Sequence, residues 1–286
     1  MNDQAKTKNY ELVFELDRHR TCPTCRERTF HVRSDYPTTS REFSVLQTIW
    51  CTSCGSGYAE NADLVIEKYY KSDYGAGRGD RSGSPKEFFA PDNRNGYFHR
   101  AWSHVRILKE VGANCRSVVD LGAGHGAFLH VCGAQDKLAI EPDDHCKPYL
   151  EYIGAKRVNI NDLEERSLDL AYASHSIEHL THKTLNSTVE NLIGALRLGG
   201  HILVEVPPGM FTRCVYKGDN DPHTMFFSPE GIRKVLRRDD TVIVFNKCLA
   251  PNPWPIRNSP IYAPDEMDEF ASDTRGAICV VAKKIR

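Results

Sequence analysis

Three glycines at alternate positions, Gly122, Gly124 and Gly126, follow the apolar run Val118, Val119 and Leu121, and this junction constrains the chain more than any other stretch. A short run of that kind suits a central parallel strand covered on both faces. Missing Cβ atoms let the backbone turn tightly and approach a ligand closely. The helix expected after Gly126 then begins with its free amide groups beside that ligand. Leu138 to Ile140 reads as the next strand, and Glu141 and Pro142 lie just beyond it. There the two oxygens of Glu141 can accept hydrogen bonds from both hydroxyls of a ribose. The unit predicts an adenosine-containing cofactor. Gly122, Gly124 and Ala127 also satisfy the pattern GxGxx(G/A), so this stretch alone leaves a nicotinamide dinucleotide open.

What separates the two cofactors lies around and after this unit. Asp120-Leu-Gly-Ala-Gly-His-Gly126 resembles the first motif of the class I S-adenosylmethionine-dependent methyltransferases, with Ala123 inside it, and Glu141 resembles their ribose acid. Asn161-Asp162 resembles the polar pair near their adenine. Leu168 to Leu180, which contains Ser174, His175, Glu178 and His179, is similar to their fourth strand and the turn after it, and Leu198 to Pro208 to their fifth. The order and spacing of five motifs over roughly the last two-thirds of the chain are more specific than any one motif. The resemblance implies a doubly wound, mostly parallel sheet of seven strands. Thr241 to Leu249 and Ala277 to Lys283 would be an antiparallel pair at one edge. The alternation of strands and helices independently predicts right-handed βαβ crossovers, with a ligand at the carboxyl ends of the strands.

Cys22-Pro-Thr-Cys25 and Cys51-Thr-Ser-Cys54 are two CxxC knuckles separated by strand-forming residues. Each presents two thiolates to one tetrahedral ion, and four sulfurs close a structural zinc site. His19 and His31 are read as surface residues or as supports of the ligands. The other cysteines are scattered singly, several in apolar patterns where a reduced thiol acts as a small hydrophobe. The spacing divides the chain into an N-terminal arm and ribbon (1–60), a connecting segment (61–104) and a cofactor-binding domain (105–286). Within the connecting segment, the glycine-rich stretch 71–96 reads as either a disordered linker or a functional lid, and Tyr69, Tyr70, Tyr74, Phe88, Phe89, Tyr97 and Phe98, which could anchor it, favour the lid.

Lys plus Arg number 37 and Asp plus Glu 38, a balance that argues against a chain built to coat nucleic acid or an anionic membrane. No apolar run reaches the length that crosses a bilayer, and the first residues are polar, so a soluble, cytoplasmic enzyme is expected. The sequence leaves its oligomeric state open.

Methyl transfer to a hydroxyl or carbon requires alignment behind the methyl group and removal of a proton, for which a positioned histidine is suited. His125, His175, His179, His182 and His223 are the histidines near the expected cleft. Glu178-His179 resembles a pair found in small-molecule methyltransferases. The combination of ribbon and motifs is similar to the zinc-ribbon sugar methyltransferases, in which a histidine shortly before Phe-Ser lies at the acceptor. Here His223 precedes Phe227-Ser228. That resemblance makes His223 the first candidate base and His179 the second, with Tyr216 and Tyr74 as groups that orient the acceptor or cofactor. His125 is expected to face the cofactor and His182 to be solvated. The expected activity is methyl transfer to a hydroxyl or activated carbon of a sugar, sugar nucleotide, glycan or related polar metabolite. An RNA or protein methyltransferase is the main alternative, although Ser174 to Ile177 departs from the (N/D/S)PP(Y/F) motif of exocyclic-amine enzymes. A nicotinamide oxidoreductase and a non-catalytic nucleoside-binding module rank lower.

Overall fold

Apolar residues alternate between two faces along the central strands, and the structure covers both faces. The computed structural model of the chain describes residues 15–69, 83–91, 96–209, 221–249 and 276–286. The larger sheet contains β5 (Ser117–Leu121), β6 (Asp136–Ile140), β7 (Lys156–Arg157), β8 (Leu168–Ser174), β9 (Leu196–Val206), β11 (Thr241–Leu249) and β12 (Ala277–Lys284). Its order is β11-β12-β9-β8-β5-β6-β7. β12 runs antiparallel to both β11 and β9, and the remaining pairs are parallel. Val119, Ala171, Ile202 and Val204 face α6 (Leu185–Ala195) and α7 (Pro229–Leu236). Their neighbours Val118, Leu170 and Leu203 face α3 (Gly96–Glu110), α4 (Ala127–Val131) and α5 (Lys147–Tyr152). Each of these valine, leucine and isoleucine side chains contributes about 1.5–3 kcal/mol by burial. The order reverses between β5 and β8, which places a ligand crevice at their carboxyl ends.

α3 packs Ala101, Val105 and Leu108 on the sheet as one apolar stripe. β7 is only two residues long, and the chain then enters a 3-10 turn at Ile160–Asp162.

The second sheet is antiparallel, in the order β1-β2-β3-β4-β10. Its first four strands, β1 (Glu15–Thr21), β2 (Arg28–Asp35), β3 (Gln47–Cys51) and β4 (Gly57–Ala59), come from the ribbon, but β10 (Met225–Phe226) comes from far down the chain. Met225 pairs with Tyr58 and Phe226 with Gly57. Phe226 is buried, its ring 5.4 Å from Trp50 and 5.7 Å from Tyr36. The ribbon therefore takes part of its core from the segment that carries His223.

α1 (Asp63–Tyr69) follows the ribbon. In the connecting segment, α2 (Pro85–Phe88) starts with a capping box between Ser84 and Glu87. Phe88, Phe89 and Phe98 are buried with Tyr149, so these three expected anchors dock, while Tyr97 is exposed. Tyr70 and Tyr74 lie outside the described residues. α7 begins as its sequence predicts, with Ser228 as N-cap accepting from Gly231 N and proline in the first turn. Among the described residues no helix is long and apolar enough to cross a membrane.

Candidate active site and sulfur cluster

The carboxyl ends of β5, β6 and β8 open into a cavity of about 670 Å³, within the usual range for small-molecule sites. Asp120, Gly122, Ala123, Gly124 and His125 form one wall, and Glu141, Pro142 and Asn159 continue it. Gly122 has φ +73°, and a Cβ there would come within 2.6 Å of the Ser176 side chain, so the turn requires glycine. Glu141 fixes the turn: its Oε2 accepts from Gly124 N at 2.7 Å and its Oε1 from Asp143 N at 2.9 Å. Both oxygens are thereby aimed, and each keeps a lone pair for a ligand hydroxyl. Arg157, which sequence reasoning missed, donates from Nη2 and Nε to the Glu141 carbonyl at 2.7 and 3.1 Å and lines the same cavity. Burial, and then the neighbouring Glu141, push the Asp120 carboxyl well above the ordinary range.

Beneath the cavity lies a buried ionic network. Glu205 on β9 accepts from His104 Nε2 at 2.8 Å and from Ser174 Oγ at 3.2 Å, and lies 3.3 Å from Arg100 Nε and 3.2 Å from His175 Nε2. His104 Nδ1 meets the Tyr172 hydroxyl at 2.7 Å. Burial opposes ionisation of Glu205, but His104 and then His175 outweigh it and hold the carboxyl well below the usual range. Arg100, Tyr172, Ser174 and His175 each show a face to the cavity.

His175 links this network to a second one. Its backbone is left-handed, φ +52°, and is held by a hydrogen bond from its N to the Glu205 carbonyl at 2.9 Å. Its Nδ1 lies 3.4 Å from Glu178 Oε1. Burial alone would lower the His175 pKa, but Glu178 and Glu205 together raise it to about 9. Glu178 and His179 sit on the 3-10 turn Ile177–His179 directly after β8. His179 lines the cavity, and His223 packs against it with ring centroids 5.1 Å apart. One ligand-type atom each of Glu178, His179 and His223 lie within 4.8 Å of one another. Thr224 clamps the two segments together: its N donates to the Glu178 carbonyl at 2.8 Å and its Oγ1 to the Leu180 carbonyl at 2.6 Å. The ribbon adds a further tie, from Tyr36 Oη to the His223 carbonyl at 2.7 Å.

The four ribbon cysteines converge as their spacing predicts. All are buried, and one ligand atom of each lies within 4.8 Å of the others. Cys22 Sγ is 3.9 Å from Cys54 Sγ, and Cys25 Sγ is 3.8 Å from Cys51 Sγ. A tetrahedral ion with metal–sulfur bonds of about 2.3 Å separates its sulfurs by about 3.8 Å, so the residues present fit one structural zinc. Both knuckles turn alike, with Arg26 and Gly55 at positive φ after the second cysteine. His31 is fully buried, with Nδ1 3.0 Å from the Thr29 carbonyl, so it supports the knuckle from inside the sheet rather than at the surface. His19 is exposed against Phe30.

Most expected cofactor residues gather at the cavity, with two departures among the described residues. Gly126 is not among the residues lining the cavity; it caps α4, where a Cβ would come within 2.7 Å of Ile153. Asp162 does not line the cavity; Asn159 does, and its Nδ2 bonds Asp162 at 3.0 Å. His182, expected in solvent, is half-buried against the Tyr58 ring at 4.8 Å. His125 lines the cavity and packs on Phe88 and Tyr149. Tyr74 and Tyr216 lie outside the described residues.

No protein-family model and no curated protein matches the chain. Solved structures do. The chain is similar to the Burkholderia thailandensis 1,6-didemethyltoxoflavin-N1-methyltransferase, solved with bound 1,6-didemethyltoxoflavin and S-adenosylhomocysteine, at 14% identity and TM-score 0.50, over 82% of this chain and 98% of that one. It is similar at 16% identity and TM-score 0.50 to a chain of the complex formed by the Trm112 methyltransferase activator of Haloferax volcanii, over 66% of this chain and 90% of that one. With the observed strand order, these likenesses settle the architecture. The fold is that of the class I methyltransferases.

Proposed function

We propose that the protein is an S-adenosylmethionine-dependent methyltransferase acting on a hydroxyl or activated carbon of a sugar, sugar nucleotide, glycan or related small polar metabolite. The observation that carries this reading is the cavity at the strand-order reversal, which has the glycine turn and Glu141 at one wall and His179 at another. The cofactor supplies a methyl group already activated on a sulfonium. Glu141, held by two backbone amides, binds the ribose hydroxyls, and the Gly122–Gly124 backbone admits the cofactor without side-chain interference. Phe88 and His125 close the same side. Asp120 and Ser174 complete the cofactor's surroundings. Removal of the acceptor's proton falls to the Glu178–His179–His223 cluster, with Tyr216 and Tyr74 proposed to orient acceptor and cofactor. A hydroxyl holds its proton tightly at neutral pH, and this polar cluster, of which His179 lines the cavity, is suited to such an acceptor. In the ribbon, Cys22, Cys25, Cys51 and Cys54 hold a structural zinc that fixes the sheet to which β10 belongs.

Thermal unfolding in S-adenosylhomocysteine, and separately in NAD, tests the cofactor, because a ligand that binds only the folded state raises the melting temperature. The reading expects a rise with the first and none with the second; the reverse overturns it. Isotopically labelled methyl donor, offered with a panel of sugars, sugar nucleotides, ring-nitrogen heterocycles and RNA, then tests the acceptor. Label confined to the last two classes overturns the carbohydrate assignment.

A further inference from the structure

We infer that Glu178, His179 and His223 bind a divalent first-row transition cation, and that the acceptor's oxygen completes its coordination. This rests on the methyltransferase reading and names how its proton-removing cluster works.

Donor geometry and burial meet at this point. The three donor atoms already lie within 4.8 Å of one another. Ligands at about 2.0–2.2 Å from a tetrahedral ion stand about 3.3–3.6 Å apart, so a contraction of about 1.2–1.5 Å by side-chain rotation closes the site. Glu178 is 1% exposed, and neither of its oxygens accepts a hydrogen bond among the described residues. His175 Nδ1, at 3.4 Å, faces Oε1 alone, which leaves Oε2 buried without a hydrogen bond among the described residues, and a cation bound there offsets the cost of burying it.

The surroundings are those of a held ligand set. His175 stands between Glu178 and Glu205, with Nδ1 at 3.4 Å from one carboxylate and Nε2 at 3.2 Å from the other, and so orients Glu178 from behind. Thr224 locks the His223 segment to the Glu178 carbonyl at 2.8 Å. Three protein ligands leave coordination positions open, as catalytic ions require, and His179 borders the cavity through which an acceptor would reach them.

One carboxylate and two imidazoles suit Mn²⁺, Fe²⁺, Co²⁺ or Zn²⁺ better than Mg²⁺ or Ca²⁺, which prefer oxygen donors throughout. An acceptor hydroxyl resting against such a cation releases its proton to water at a lower pH. The acceptor oxygen then forms its bond to the methyl carbon as the carbon–sulfur bond breaks, and the electron pair stays on sulfur. His179 and His223 act as ligands in this scheme, and the proton leaves through solvent.

The test is titration of Mn²⁺ into the zinc-replete full-length protein, followed by the electron paramagnetic resonance signal of free Mn²⁺. Affinity for S-adenosylhomocysteine is measured in parallel. Wild type should take up a single Mn²⁺ saturably. Glu178→Gln and His223→Ala should each weaken uptake by about tenfold or more while cofactor affinity stays within about twofold. His182→Ala, a nearby histidine outside the cluster, should bind as wild type does. Retained cofactor affinity shows that the variants fold. Wild type that binds S-adenosylhomocysteine but no Mn²⁺, or uptake unchanged in both ligand variants, overturns the inference and leaves the methyltransferase reading standing. Protein that binds no S-adenosylhomocysteine overturns that reading, and the inference with it.

Discussion

The sulfur cluster of the ribbon and the His–Glu cluster of the cleft are both sets of metal-type ligands, yet they differ in number, chemistry and surroundings. At the ribbon, four buried sulfurs face one another and leave no open side. At the cleft, one carboxylate and two imidazoles gather beside a cavity. The first arrangement suits an ion that holds a fold, and the second suits groups that act on a ligand. The two are also joined. β10 closes the ribbon sheet, and immediately before it His223 packs on His179 of the cavity wall, tied to the ribbon by Tyr36. The ribbon is thus in direct contact with the segment that carries His223.

The strongest way to break this comparison is to remove a ribbon ligand. Cys51→Ser should release the zinc and unfold the ribbon, since structural zinc contributes about 10–16 kcal/mol of apparent binding energy in small zinc domains. Trp50 fluorescence and metal content report the loss, and activity should fall with them. Activity retained in a zinc-free ribbon would show that His223 does not depend on it. Phe226→Ala attacks the joint itself. It should lower stability in urea by about 3–5 kcal/mol, because the ring is buried against Trp50 and Tyr36. A change below about 1 kcal/mol would mean the two sheets are not coupled through β10.

Ser228→Ala should cost about 1–2 kcal/mol by removing the α7 cap, whose hydroxyl also donates to the Cys54 carbonyl. Tyr36→Phe is the mildest probe. Loss of its hydrogen bond to the His223 carbonyl should cost about 0.5–1.5 kcal/mol in stability. The comparison also predicts that kcat falls while affinity for S-adenosylhomocysteine holds. Equal losses in both would assign Tyr36 to general stability.

What the sequence reveals and conceals follows from range. The glycine turn, Glu141 and the two knuckles are local patterns, each dictated by a turn or a ligand set within a few residues, and the structure brings each together. The Ser228 cap is legible for the same reason. The fifth ribbon strand is not: Met225-Phe226 is two residues long, and only its distant partners Gly57 and Tyr58 make it a strand. The Glu205 network is hidden likewise, since its members come from α3, β8 and β9 and the turn that follows β8. A glutamate inside the apolar run of β9 is its one sequence signal, since a buried charge needs partners. The half-buried place of His182 is hidden too, because nothing local reveals the Tyr58 ring it packs against.

Calorimetric titration of S-adenosylhomocysteine into wild type and Glu141→Ala tests the central claim most directly. The account predicts binding to wild type, none of NAD at the same site, and a loss of about 10- to 100-fold in the variant, the value of hydrogen bonds to a charged group. Equal affinity of the two proteins for S-adenosylhomocysteine, or binding of NAD in its place, would contradict it.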